Sequence, residues 1–482
     1  MTSLRWRPGA PLRILKNWLL WFYFYIKHRD QNGRPAPNKK RKEIKPSTIH
    51  RSFFCLIISG TILTMFILLY IDNIPWHLGH KAVDNIAKKL GYHKPVHAVV
   101  IDAGSTGSRV LAFTFHESYI GGHLVLDKEL FKYTKPGLSS FVDNPEKGVQ
   151  TIANLLEEAK NEIPKDYWNK TPLILKATAG LRLLPQEKAE KLLNSVRALF
   201  QRTPFLTNEE SVEIMDGTDE GIFSWFTVNF LLECIHGNPA KTVAALDLGG
   251  GSTQVTFSAL TPASLSQKQY IHQAVAPNGF IPVYTHSYLG LGLMAARKEV
   301  VTLNQPNQVN VTSDCINHII QSRKFHFGGT DYYVNGPKEN YPISKSKDTT
   351  YTVGQETPVV DFKKCSKIVT DYVIGKAKPP EELPTKVIFA FSYYFDRATE
   401  VGLIEESAGG SIDVDAFKTA AEKSCAEPNA DQPFMCLDLT FIWVLLEKGF
   451  GLRGDTKIFL YKKIDGHEIS WALGAAYNLL RG

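Results

Sequence analysis

From residue 97 onward, the pattern of apolar and polar positions changes period repeatedly. Strand-like runs (VHAVVIDAG, RVLAFTF, TPLILKATAG ending in Gly180, TVAALDLGGG) interleave with helix-like ones. KGVQTIANLLEEAKNEI at 147–163 spaces its apolar residues at three and four, which predicts an amphipathic helix. PQEKAEKLLNSVRALFQR at 185–202 does the same, with Pro185 at its start. IFSWFTVNFLLECI at 222–235 is apolar on every face, so the expected element is a buried helix. Strands alternating with helices predict an α/β fold. Residues 303–357 are polar and rich in Gly, Asn and Lys, which predicts loops with short strands.

One local pattern occurs twice. In HAVVIDAGSTGSRVLAFTF an apolar run ends in Asp102, turns through Gly, Ser and Thr, and resumes as a strand. In AALDLGGGSTQVTFS the same sequence of events follows Asp247. A turn of this kind offers backbone N–H groups and hydroxyls to one point, as a phosphate requires. Glycine supplies positive φ or close approach. The aspartate before the turn cannot bind a phosphate itself, but it can hold a divalent cation that screens one. Neither GSTGSR nor GGGSTQ contains GxxxxGK[ST], and strands rather than helices follow both turns, which excludes a P-loop and a dinucleotide-binding turn. A repeated Asp–Gly turn predicts two related domains facing each other. KATAGLRLLP at 176–185 adds Thr178 and Arg182 at a strand end. IMDGTDEGIFSW adds Asp216, Asp219 and Glu220 before the apolar helix, where an acid can deprotonate water.

Charge changes the picture of the N-terminus. The chain of 482 residues carries a net charge of +7, yet residues 1–52 hold 13 Lys/Arg against 2 Asp/Glu and the remainder is net −4. The body is therefore not a polyanion binder, and no nucleic-acid partner is expected. FFCLIISGTILTMFILLYI at 53–71 has no charge over 19 residues, enough to span a bilayer at about 1.5 Å per residue. Basic residues before it keep the N-terminus cytosolic and the body luminal. WLLWFYFYI at 18–26 is too short to span and suits the membrane interface. Residues 72–95 read as a stem with an amphipathic helix. Cys55 lies in the span and Cys234 in an apolar pattern, as a buried free thiol. Cys315, Cys365, Cys425 and Cys436 would form two disulfides in an oxidising lumen, with three connectivities open. Asn169 and Asn310 head glycosylation sequons, the first followed by Pro172.

IDAGSTGSR, KATAGLRLLP, IMDGTDEGIFSW, ALDLGGGSTQ and SWALGAAYNLL resemble, in order and spacing, the five conserved regions of the apyrases, the nucleoside triphosphate diphosphohydrolases. The resemblance covers residues 97–482. It implies two actin-like (RNase H-like) lobes with nucleotide and metal in the cleft: residues 96–216, rejoined by about 462–482, and residues 217–461. It further implies that Ser105, Thr106, Gly107, Ser108, Gly249, Gly250 and Gly251 cradle phosphates. Asp102 and Asp247 would hold hydrated Ca²⁺ or Mg²⁺, with Thr178 and Trp471 near the metal. Glu220 would activate water positioned by Ser252 and Gln254, while Arg182 supports its strand turn. Tyr393 and Tyr394 in FAFSYYFDRA would form the platform for the base, and Cys315–Cys365 and Cys425–Cys436 would be the disulfides.

A single N-terminal span, no second one before Arg481-Gly482, and the strings ATAGLRLLP and FSYY resemble the ER/Golgi branch, which hydrolyses UDP, GDP and IDP. The expected protein is thus a type II Golgi or ER membrane nucleoside diphosphatase supporting glycosylation, with a body that cleavage in the stem would release. The rival readings are a broad triphosphatase of the same fold and a non-hydrolytic actin- or Hsp70-like nucleotide switch.

Overall fold

The computed structural model describes residues 56–65, 83–84, 86–87, 89–119, 122–345 and 356–481. The chain divides into two units, 1–81 and 82–482. In the first, residues 56–65 are helical, within the predicted span. The basic tail, residues 18–26, Cys55 and the start of the stem lie outside the described residues. Among the described residues, no helix is long and apolar enough to cross a membrane.

The second unit is built on two sheets. The first contains β1 (Pro95–Ala103), β2 (Ser108–Glu117), β3 (Leu124–Thr134), β4 (Leu173–Ala177) and β5 (Val212–Ile214), in the order β3-β2-β1-β4-β5. The strands β1, β2 and β3 form an antiparallel meander, and β4 and β5 continue the sheet in parallel on the other side of β1. Parallel neighbours need crossovers, and helices α1 (Pro145–Glu162), α2 (Ala179–Arg182) and α3 (Gln186–Phe200) lie in them. α1 starts at Pro145, two residues before its apolar periodicity, because Asn144 accepts a hydrogen bond from the N–H of Lys147 at 3.3 Å. β3 is half-exposed at the sheet edge, so its sequence carries no clean alternation.

The second sheet contains β6 (Ala244–Leu248), β7 (Ser252–Ser258), β8 (Ile271–Ala276) and β9 (Gly279–Leu289). A polar stretch then supplies the small strands β10 (Asn310–Thr312), β11 (Arg323–Phe327), β12 (Thr330–Asn335), β13 (Ile343–Lys345) and β14 (Glu356–Pro358), in accord with the short strands expected there. β15 (Ile388–Ser392), β16 (Gly410–Asp413) and β17 (Lys457–Leu460) complete the large sheet, whose order is β16-β17-β15-β6-β7-β9-β8. Its centre repeats the first sheet: β6, β7 and β9 are antiparallel, and β15 and β17 run parallel on the far side of β6.

Side-chain alternation along β1 sorts its residues between two cores. Val99, Ile101 and Ala103 pack under α1 and α3. Ala98 and Val100 join a second cluster with α4 (Gly217–Leu231) and with the C-terminal helix Trp471–Arg481. That cluster also holds Ala245, Val283 and Phe391 from the second sheet, so these two helices lie between the sheets. This explains why α4 has no polar face. Trp225 and Val228 are fully buried, and each such side chain contributes about 1.5–3 kcal/mol. α4 begins five residues before its apolar run, because Asp216 accepts from the N–H of Thr218 at 2.7 Å.

The outer face of the second sheet is covered by α5 (Leu293–Thr302), α6 (Phe362–Val373), α7 (Tyr393–Glu400), α8 (Val414–Ala426) and α9 (Met435–Val444). The C-terminal helix is α10. Disulfides join Cys315 to Cys365 and Cys425 to Cys436, the second tying α8 to α9. Cys234 is free as expected, but half-buried rather than buried. It falls after α4 has ended, where Glu233 turns the chain with φ 59°. Asn169 is exposed in the 3-10 turn Lys165–Lys170, and Asn310 is exposed at the start of β10.

Candidate active site

The two Asp–Gly turns come together. A Cβ on Gly250 would stand 2.3 Å from Ser105 Oγ and 3.1 Å from Thr106 Cγ2, so only glycine fits. Gly180, in α2, is pressed as closely on Ser105, with its Cβ position 2.7 Å from that residue's Cα. The segments containing Ser105, Gly180 and Gly250 therefore meet at one place. None of Gly104, Gly107, Gly249, Gly250 and Gly251 has positive φ. Close approach, rather than backbone handedness, is what these glycines serve.

The second turn is seated on the N-terminus of α5. Leu293 N–H donates to Gly249 O and Ala295 N–H to Gly250 O, both at 2.9 Å. In a trans peptide the N–H points opposite the C=O. The N–H groups of Gly250 and Gly251 thus face away from α5. In the first turn, Ser105 and Thr106 are half-buried, while Gly107 and Ser108 are buried.

Strand register places the carboxylates. β1 pairs Asp102 with Arg109, and β6 pairs Asp247 with Gln254, the equivalent position. Arg109 Nη1 donates to Asp102 Oδ2 at 2.9 Å. Asp247 accepts from Ser392 Oγ at 2.7 Å and Ser224 Oγ at 3.1 Å. Ser392 sits at φ 58°, a left-handed conformation that costs on the order of 1–3 kcal/mol in a non-glycine residue. Thr178, buried, caps α2, and its N–H donates to Ala103 O at 3.3 Å.

Glu220 lies in the first turn of α4, 6% exposed. It is ion-paired to Arg182 and accepts from Gln254 Nε2 at 3.0 Å. The same Nε2 is 2.8 Å from Ser252 Oγ and 2.9 Å from Ser287 Oγ. Burial raises the Glu220 carboxyl to about 8; Arg182 opposes the shift, and Asp247 and Asp102 add to it. Burial also raises Asp102 and Asp247, against Arg109 and Ser392 respectively. Three buried carboxyl groups thus influence one another with two arginines between them.

Asp102 Oδ1, Ser108 Oγ, Gln254 Oε1 and Arg182 Nε are buried without hydrogen-bond partners. Buried polar atoms are nearly always paired, so four such atoms on residues of these segments are consistent with a polar ligand there. The oxygen-rich set with an orphaned Asp102 oxygen fits a hard divalent cation and its waters.

Two expected site residues are buried. Trp471 is 4% exposed in the apolar cluster between the sheets, and its indole N–H has no lone pair for a metal. Tyr394 is fully buried in the core of the second sheet, so it has no face for a base; Tyr393 is half-buried. Arg182 does more than support its turn, since it pairs with Glu220. Arg109, Ser224, Ser287 and Ser392 complete the site without a sequence signal of their own. The strand registers Asp102–Arg109 and Gln254–Ser287 would have found two of them.

Residues 92–482 match the GDA1/CD39 (nucleoside phosphatase) family. The chain is 40% identical over 394 residues to the nucleoside diphosphate phosphatase ENTPD5 of Homo sapiens, covering 80% of this chain and 88% of that one. It is 39% identical over 398 residues to ectonucleoside triphosphate diphosphohydrolase 6 of Mus musculus, covering 80% and 82%. Its fold is similar to that of a nucleoside triphosphate hydrolase from Neospora caninum, with TM-score 0.52 at 14% identity, covering 83% of this chain and 96% of that one. With the two turns, their aspartates and Glu220 gathered in one cleft, the chain belongs to the GDA1/CD39 nucleoside phosphatase family.

Proposed function

We propose that the protein hydrolyses the terminal phosphate of nucleoside diphosphates, yielding the monophosphate and inorganic phosphate. The observation that carries the reading is the position of Glu220, buried beside Gln254 and Ser252. Burial is the main cause of its raised pKa, and Asp247 and Asp102 add to it, which supports a site shared by the three carboxyls. Gln254 and Ser252 orient a water, whose oxygen attacks the terminal phosphorus in line. The O–P bond forms as the bond to the bridging oxygen breaks, and the water's proton passes to Glu220. Arg182 opposes the rise that burial imposes on Glu220 and stabilises its ionised form, the form that accepts the proton. N–H groups of Gly250 and Gly251, with the hydroxyls of Ser105, Thr106 and Ser108, hold the phosphates. Ca²⁺ or Mg²⁺ held through Asp102 and Asp247 would neutralise phosphate charge. Thr178 lies at the same strand end, and Tyr393 is the candidate for stacking on the base.

The two repeated sheets support a reading as actin-like lobes, 96–216 with 462–482 and 217–461. The basic tail and the uncharged run 53–71 support a type II anchor, and the two disulfides fit a lumen. Similarity to ENTPD5, named a nucleoside diphosphate phosphatase, supports the choice of diphosphates. The test is phosphate release from UDP, GDP, IDP and ATP with Ca²⁺, Mg²⁺ or EDTA. Faster release from UDP and GDP than from ATP, abolished by EDTA, is expected. Faster release from ATP would make the enzyme a triphosphatase, and binding without release would make it a switch.

A further inference from the structure

A second group of unpartnered polar atoms lies at the other end of β2. Asp84, His93 and His116 each offer a ligand atom, and these atoms lie within 4.8 Å of one another. The pairing of Pro95 with His116 across β1 and β2 explains the placement, because it brings the residues preceding β1 alongside the end of β2. Asp84 and His116 are buried, at 6% and 4% exposure. Both ring nitrogens of His93 and Nε2 of His116 are buried with no hydrogen-bond partner. The two rings are tilted at 44° with centroids 4.1 Å apart.

The second imidazole is already oriented. His116 Nδ1 is 2.6 Å from Asp127 Oδ2. A carboxylate there fixes the proton on Nδ1 and turns the lone pair of Nε2 outward, the arrangement that metal-ligating histidines use. Asp84 is held in place as well, with Oδ2 accepting from Ser118 Oγ at 2.8 Å and Oδ1 from Tyr119 N–H at 2.9 Å. Leaving a buried donor or acceptor unmade costs about 1–3 kcal/mol, so three orphaned nitrogens facing a buried carboxylate need an occupant.

We propose that Asp84, His93 and His116 form a binding site for a divalent transition metal, with chemistry best suited to Zn²⁺, which clasps the segment before β1 to the end of β2. Two imidazoles and one carboxylate favour Zn²⁺ over Ca²⁺ or Mg²⁺, which prefer all-oxygen shells. Three protein ligands leave a fourth tetrahedral position for water. With bonds of about 2.0–2.1 Å, tetrahedral ligand atoms stand about 3.3 Å apart. Binding therefore draws the three side chains together, and His93, which makes no hydrogen bond through its ring, is the one placed to turn. The site is remote from the cleft. Ser108 and His116 are eight residues apart along β2, about 26 Å at ~3.3 Å per residue. The metal is therefore a fastener for the fold and takes no part in hydrolysis.

The test uses the full-length protein in detergent, stripped with chelator and titrated with Co²⁺ and then Zn²⁺. One equivalent of Co²⁺ with the visible absorption of a tetrahedral ion, displaced by Zn²⁺, is expected. Zn²⁺ should raise the melting temperature of the parent protein and leave that of the His93→Ala/His116→Ala variant unmoved. Mg²⁺-supported phosphate release by that variant, unchanged, establishes that it is folded. His93→Gln, a milder change at a half-buried residue, serves as the binding-deficient control if the double variant fails to fold. Asp127→Asn should weaken Co²⁺ binding about 10–100-fold. The proposal is overturned if the parent binds no stoichiometric Co²⁺, or if the histidine variants bind it as tightly.

Discussion

On the proposed reading, Glu220 is the residue on which the chemistry turns. Glu220→Gln keeps the shape and the hydrogen bond to Gln254 but cannot take the water's proton. The loss should appear in kcat, about 10²–10⁴-fold, with KM nearly unchanged. Asp219→Asn is the control: Asp219 is exposed on the same turn, and Gln254 donates to Glu220 rather than to it. An active Glu220→Gln enzyme beside a dead Asp219→Asn one would transfer the role to Asp219. Asp102, Asp247 and Glu220 could be read from the sequence because each precedes or interrupts a glycine turn. Arg109 was in plain view, yet its partner is set by strand register. Ser287 and Ser392 come from strands whose neighbours in space are 33 and 145 residues away in sequence, and no local pattern encodes that. That Tyr394 is buried and Tyr393 only half-buried was hidden for a related reason: adjacent residues at a helix start point in different directions, and only packing decides which is buried.

A second carboxylate reports on pH. Glu129 on β3 has a side chain only 6% exposed. It accepts from the N–H of Glu468 at 2.9 Å. Burial raises its carboxyl from 4.5 to about 7, with the Glu468 N–H opposing and the Glu468 charge adding. A raised carboxyl favours folding below the unfolded value, and that stability is lost as pH rises through the folded one. Ionisation should therefore cost the fold stability between about pH 4.5 and 7, on the order of 3 kcal/mol. Glu129→Gln should match the parent's melting temperature near pH 4.5 and exceed it above pH 7. A constant difference across that range would remove Glu129 as the cause.

At the scale of elements, the outer layer of the second sheet is joined by charge as well as by apolar packing. Asp438 on α9 is fully buried and accepts from Arg297 Nε of α5 at 2.6 Å, while Arg397 of α7 lies 3.4 Å away. Asp438→Asn would leave Arg297 without its counter-charge, at a cost of about 3–5 kcal/mol, while Arg397 keeps Glu400 at 2.7 Å. Urea unfolding should register it, and a change below about 1 kcal/mol would mean that Arg297 finds another partner. The helices themselves were legible wherever one face is apolar, as in α1 and α3. β3 was not, because an edge strand half-buried along most of its length has no period to read.

For the whole molecule, the proposed orientation across a membrane rests on charge. With 13 basic residues ahead of the uncharged run, protease added to sealed microsomes should remove about the first fifty residues and spare the body. Digestion of the body without detergent would reverse the topology. The doubling of the fold was visible in two short turns, since a strand that ends in Asp and turns through glycines leaves a strong local mark. The placement of α4 and α10 between the sheets left only a weak one, an apolar helix with no polar face. The first sheet is complete by Ile214, but its inner face, including Val100, Leu111 and Phe113, packs with Trp471, Leu473 and Tyr477. During synthesis, that greasy face waits for about 250 more residues. At ~5–20 residues per second this lasts on the order of 10–50 s. The nascent chain thus needs a guardian in the compartment where it emerges, and a chain lacking Trp471–Arg481 would keep that face uncovered.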